Sequence, residues 1–131
     1  MTGPVFLSTT LLEGTTGVFE FEVVDKDGQG ISAVVVEALT LTYYDVETAA
    51  PINARLNQDA YNTNQVTIAT VAGPPMVTTV TWTLQPADTV LLNATHRLEW
   101  RGVLFQWTWN SGTEHNAYWA QFAIVNLPFV P

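Results

Sequence analysis

The stretch Phe105-Gln106-Trp107-Thr108-Trp109, closed by Asn110-Ser111-Gly112 and answered by Ala117-Tyr118-Trp119-Ala120-Gln121-Phe122-Ala123-Ile124-Val125, decides how this chain folds. Successive side chains of a strand point to opposite faces, so Phe105, Trp107 and Trp109 share one face while Gln106 and Thr108 share the other. Two such runs around a Gly-containing turn read as a β-hairpin. The aromatic row is assigned to the core. The return strand is apolar on both faces, with Tyr118, Ala120, Phe122 and Ile124 on one side and Trp119, Gln121, Ala123 and Val125 on the other. At least one of these faces is expected to be covered by a partner, with Trp119 at its centre.

Upstream of the hairpin, the apolar positions are even at Leu98 and Trp100 and odd from Val103 to Trp109. A one-residue slip exchanges the faces of a strand, so a β-bulge is expected at Gly102. Val18-Phe19-Glu20-Phe21-Glu22-Val23 alternates apolar and acidic residues and reads as a half-buried strand. Residues 31–44 read as a second strand, bent or interrupted near Glu37-Ala38. Residues 66–71 and 77–84 read as two more strands around Ala72-Gly73-Pro74-Pro75. Residues 45–64 read as loop, with room for a short strand at 52–56 and a helical turn near 58–61. Asp88 is placed to cap a turn through 89–92.

About seven short strands with turn signals between them and no amphipathic helix indicate an all-β protein, an antiparallel sandwich of the immunoglobulin-like kind. Residues 1–16 read as an extended N-terminal arm, 17–127 as the sandwich and 128–131 as a C-terminal tail. Both ends carry apolar residues. Val5, Phe6, Leu7, Leu11, Leu12, Trp119, Phe129 and Val130 are therefore the candidate partner-binding residues.

With 131 residues, 47% of them hydrophobic, the chain has the size of one domain with a real core. Only 12% are charged, against about 25% in ordinary soluble domains, so Thr, Asn, Gln and Ser must carry the surface. The net charge of −8 opposes binding to nucleic-acid phosphates or anionic lipid. The absence of cysteine removes disulfides, thiolate metal sites and a cysteine nucleophile. No export or membrane segment is expected from the N-terminal residues.

The candidate chemical motifs are weak. Gly28-Gln29-Gly30-Ile31-Ser32-Ala33 fits a dinucleotide fingerprint, but β-branched Val34-Val35-Val36 follows where a helix must open, so it reads as a hairpin turn. Asp25, Asp27, Asp45 and Glu47 lack the spacing of a calcium loop, and no metal or other cofactor is expected. Asn93-Ala94-Thr95 fits a glycosylation sequon by accident. His96 and His115, near Glu99 and Glu114, are conceivable acid–base pairs, but Ser8, Ser32 and Ser111 sit in no nucleophile elbow. No catalytic residue is assigned, and the protein is not expected to be an enzyme.

Residues 19–31, Leu39-Thr40-Leu41-Thr42-Tyr43-Tyr44-Asp45-Val46, Thr81-Trp82-Thr83-Leu84-Gln85-Pro86-Ala87-Asp88 and the tryptophan hairpin together resemble the small immunoglobulin-like modules of tailed-bacteriophage virions. The N-terminal domain of baseplate upper proteins is such a module, and the resemblance covers residues 18–127. It implies a structural, usually oligomeric protein of the virion, assembled in the host cytoplasm, that decorates or cements the capsid or attaches to the neck, tail or baseplate. Its partners are then other virion proteins and further copies of itself. The alternative reading of the residues is a carbohydrate-binding module that stacks sugars on exposed tryptophans.

Overall fold

The computed structural model describes residues 4–126. Eight strands among them form two sheets: β1 (Val5–Leu12), β2 (Gly17–Glu22), β3 (Ala38–Asp45), β4 (Gln58–Asp59), β5 (Val66–Val71), β6 (Val77–Leu84), β7 (Leu98–Trp109) and β8 (Glu114–Val125). The larger sheet runs β1-β8-β7-β3-β4 and the smaller β2-β6-β5. In immunoglobulin terms β2, β6 and β5 are strands B, E and D, while β3, β7 and β8 are C, F and G, with β4 added beside C. The protein is an immunoglobulin-like β-sandwich.

The alternation of the sequence sets the two inner faces. Phe19 and Phe21 of β2, Val80, Trp82 and Leu84 of β6, and Val66 and Ile68 of β5 face Leu39, Leu41 and Tyr43 of β3, Val103, Phe105 and Trp107 of β7, and Ala120, Phe122 and Ile124 of β8. Phe21 and Phe105 meet with ring centroids 4.8 Å apart, and Tyr43 stands edge-on to Trp82 at 4.9 Å. Many immunoglobulin domains bridge strands B and F with a disulfide; here the Phe21–Phe105 contact joins the same two strands. Phe105 and Trp107 are buried as expected, and Trp109 is half-buried against the core.

The hairpin expectation holds over its full length: β7 and β8 pair in one register from Leu98↔Val125 to Trp109↔Glu114. Gly102 is not a bulge, since it pairs in sequence with Gln121 and with Tyr44. The inward phase of β7 stays odd throughout, so Glu99 and Arg101 point inward and Leu98 and Trp100 outward. Hydrophobicity misassigned this end because the two charged residues are buried as a network. Arg101 Nη1 donates to Asp45 Oδ1 at 2.9 Å and Nη2 to Glu99 Oε1 at 2.8 Å.

Several local expectations are corrected. Val5–Leu12 is not a free arm: it runs parallel to β8 as a strand of the large sheet, and Leu7 and Leu11 pack against the core. That strand gives the peptide groups at the β8 edge a partner and closes the sandwich beside Tyr118 and Phe122. The interruption expected near Glu37-Ala38 is there, since β3 begins at Ala38, but the residues before it form a 3-10 turn at Ala33–Val35 and no strand. In the middle loop the strand lies at Gln58–Asp59 rather than at 52–56, and no helical turn forms at 58–61. Asn53, Asn57, Asn62 and Asn64 take up positive φ there, as asparagine does more readily than other side chains.

Asp88 does not start a turn but ends one, the 3-10 helix Pro86–Asp88, where its carboxylate accepts the Gln85 N–H at 2.7 Å. The same carboxylate takes a two-pronged ion pair from Arg55, Nε at 2.6 Å and Nη2 at 3.1 Å. Arg55 also lies 5.3 Å over the Trp82 ring. Tyr43 donates its hydroxyl to the Asp88 carbonyl at 2.9 Å, and burial pushes that hydroxyl's pKa well above the usual tyrosine range. Gly30, read as part of a turn, is held where a side chain would collide with the Met76 carbonyl, 2.3 Å from an added Cβ.

Candidate interaction face

The outward side of the large sheet is built from the even positions of β3 and β7 and the odd positions of β8, because those residues are registered neighbours across the strands. At one end, Leu12, Val125 and Leu98 form a row across β1, β8 and β7. The next row holds Thr10, Ala123 and Trp100, and Val46 continues it through an N–H bond to the Trp100 carbonyl at 3.0 Å. Phe6, Gln121, Gly102 and Tyr44 follow, then Trp119, Leu104 and Thr42. The far end is more polar, with Ala117, Gln106 and Thr40, then His115, Thr108 and Ala38.

On this face β3, β7 and β8 carry no Asp, Glu, Lys or Arg. The outward side of the small sheet differs, presenting Glu20 and Glu22 among Thr67, Thr79, Thr81 and Thr83. Arg55 and Arg101 are buried together with Asp45, Asp88 and Glu99, which leaves Lys26 and Arg97 as the basic side chains of a surface that stays acidic. This low-charge, partly aromatic sheet face on an acidic domain is the candidate interaction face. Its most exposed large residues are Phe6 at 68%, Trp100 at 42% and Leu98 at 40%.

A hydrogen bond fixes the middle of the face. The Trp119 indole Nε1 donates to the Tyr44 hydroxyl at 2.8 Å, and the Tyr44 ring lies over Gly102, where an added Cβ would come within 2.1 Å of it. Trp119 is accordingly half-buried by its own domain.

Of the residues expected to meet a partner, Val5, Phe6 and Leu12 are exposed. Leu7 and Leu11 turn inward onto the core, and Phe129 and Val130 lie outside the described residues. Leu98, Trp100, Leu104 and Tyr44 belong to the face but were assigned elsewhere or passed over. The signal was present in the sequence: the odd phase of 103–109, carried back unchanged, turns Leu98 and Trp100 outward and puts oppositely charged Glu99 and Arg101 together inside.

The histidine and carboxylate candidates separate. His96 Nδ1 lies 2.7 Å from Glu99 Oε2, whereas His115 is exposed at the opposite end of the hairpin. Glu99 also accepts the Leu92 N–H at 2.8 Å and the Asn93 N–H at 3.0 Å. Burial raises the Glu99 pKa, but the bonds from Leu92, Arg101, Asn93 and His96 outweigh it and hold the carboxyl below its ordinary value. The arrangement clamps the 91–97 loop onto β7. Asp25 is spent on a turn, accepting from the N–H groups of Asp27 and Gln29. Among the described residues no three His, Asp or Glu side chains gather as a metal site. No helix among them is long and apolar enough to cross a membrane. Asn93 Oδ1 accepts from Thr95 in a tight local turn.

No protein-family model, curated protein or solved structure matches the chain.

Proposed function

We propose that this chain is a non-enzymatic structural subunit of a tailed-bacteriophage virion, an immunoglobulin-like module that decorates or cements the capsid or sits at the neck, tail or baseplate. It docks through the outer face of the large sheet onto other virion proteins or further copies of itself, after assembly in the host cytoplasm. The observation that carries this reading is the uncharged row system from Leu98 and Trp100 to Tyr44 and Trp119 on an otherwise acidic surface. Covering it yields about 25 cal/mol for each Å² of apolar area removed from water. The sequence resemblance to virion modules supplies the setting. Mass spectrometry of purified particles from a phage encoding the chain tests it: the subunit is expected at a fixed copy number, and its absence from particles overturns the reading.

One observation favours a second reading. Trp100 is exposed on a face whose far end offers Gln106, Thr108 and His115 as hydrogen-bonding groups, the mixture a carbohydrate-binding module uses. A polysaccharide titration followed by tryptophan fluorescence decides it, with a flat response disposing of the glycan role.

A further inference from the structure

The four sheet edges are not treated alike. β4 is only two residues long, and β1 has an irregular register between Phe6 and Thr10. The β5 edge is closed by its own chain, since the Val66 N–H donates to the Thr63 carbonyl and the Ile68 N–H to Asn62 Oδ1. Short strands, irregularities and capping are the usual ways to blunt an edge.

The β2 edge has none of these, and what guards it is the charge of the exposed Glu20 and Glu22. Among the described residues β2 pairs only with β6, and the Val23 N–H bond to the Thr78 carbonyl sets the phase of that pairing. Antiparallel strands alternate between bonded and non-bonded pairs, so the peptide groups of Val18, Glu20 and Glu22 point to the free edge. No backbone or side-chain partner meets those three N–H groups among the described residues. Directly inside the edge lies a mostly apolar cleft of about 170 Å³ between β2 and β1, lined by Leu7, Leu11, Phe19, Leu84, Tyr118 and Phe122 together with Val18 and Glu20 of the edge itself. A cavity of about 150 Å³ accommodates a benzene ring, so this cleft takes one branched or aromatic side chain. On the outer side of the same strand Glu20 and Glu22 are exposed, beside neutral threonines.

We infer that the β2 edge is a strand-addition site for an extended segment of a partner protein, with apolar side chains at alternate positions and lysine or arginine between them. The backbone of the segment pairs with Val18, Glu20 and Glu22, an apolar side chain enters the cleft, and its basic side chains lie against the two glutamates.

The test is an NMR titration of the full chain with the peptide acetyl-Thr-Lys-Val-Lys-Leu-Lys-Thr-amide, alongside the analogue with glutamate in place of each lysine. The lysine peptide binds saturably, more weakly as salt rises, and slows amide exchange at Val18, Glu20 and Glu22; the glutamate peptide does not. Val18→Pro removes one edge donor, leaves both glutamates and weakens binding about tenfold, the scale of one hydrogen bond, with the urea midpoint unchanged. The exposed double variant Glu20→Lys/Glu22→Lys reverses the preference between peptides. Equal binding of both peptides, no binding at millimolar concentration, or protection on β7 and β8 instead of β2 overturns the inference.

Discussion

The indole of Trp119 is tied to the hydroxyl of Tyr44 at 2.8 Å, and Tyr44 in turn occupies the space that Gly102 leaves by having no side chain. This chain of contacts crosses β8, β7 and β3 and fixes the centre of the proposed docking face. Gly102→Ala must lift the Tyr44 ring, at an overpacking cost of about 1–3 kcal/mol. Tyr44→Phe keeps the ring and loses only the hydrogen bond, about 1 kcal/mol. Urea unfolding of the two variants checks the order; a Gly102→Ala protein as stable as the wild type contradicts this packing.

Burial of Arg55 and Asp88 makes their pair sensitive to the loss of one partner. Arg55→Met leaves the Asp88 carboxylate inside without its cation and is expected to cost about 3–5 kcal/mol. Arg101→Met strands Asp45 and Glu99 in the same way. Chemical denaturation measures both, and an effect below about 1 kcal/mol, the range of an exposed pair, would show that the network is not holding the loops to the sheet.

Glu99 gives a pH dependence with a definite sign. Its folded-state pKa lies below its ordinary value, so the folded protein binds this proton less readily than the unfolded chain. The stabilisation is complete above the unfolded pKa, about 4.3 for a glutamate, and is lost as pH falls through the depressed folded value. Urea midpoints measured between neutral pH and pH 3 should decline for the wild type and decline less steeply for Glu99→Gln. Parallel curves for the two proteins would remove Glu99 from the account.

The N-terminal strand is part of the domain and not an appendage. Leu11 packs against the core and its side chain lies against Gly17, close enough that a Cβ there would meet it at 2.8 Å. Leu11→Ala is therefore expected to destabilise by about 2 kcal/mol, and Leu12→Ala, on the outward face, by less than about 1 kcal/mol. Thermal unfolding of the pair distinguishes them; equal effects would argue that β1 contributes no inward packing.

Where alternation and hydrophobicity agree, the fold was legible from the residues. Phe19 and Phe21 alternating with Glu20 and Glu22, Trp82 among threonines, and the Phe105-to-Trp109 row all face where their pattern points. Legibility failed where burial is electrostatic. Glu99 and Arg101 look like solvent residues until Asp45, 56 positions from Arg101 in the chain, arrives beside them, and no local pattern announces that meeting. The same failure hid Trp100, because assigning charge to the outside forced the tryptophan inside. Leu7 and Leu11 were half-readable: their apolar character was plain, but nothing local says that the strand carrying them returns to pair in parallel with the last one.

We propose that the outer face of the large sheet holds this subunit in its assembly. The most direct test is the copy number of the double variant Leu98→Glu/Trp100→Glu in purified particles, counted by quantitative mass spectrometry beside a urea unfolding curve of the isolated protein. Leu98 and Trp100 are 40% and 42% exposed, so the double variant gives up part of their packing and its curve shifts to lower urea while staying a single folded transition, and the subunit disappears from the particles. A folded double variant present at wild-type copy number would contradict the account.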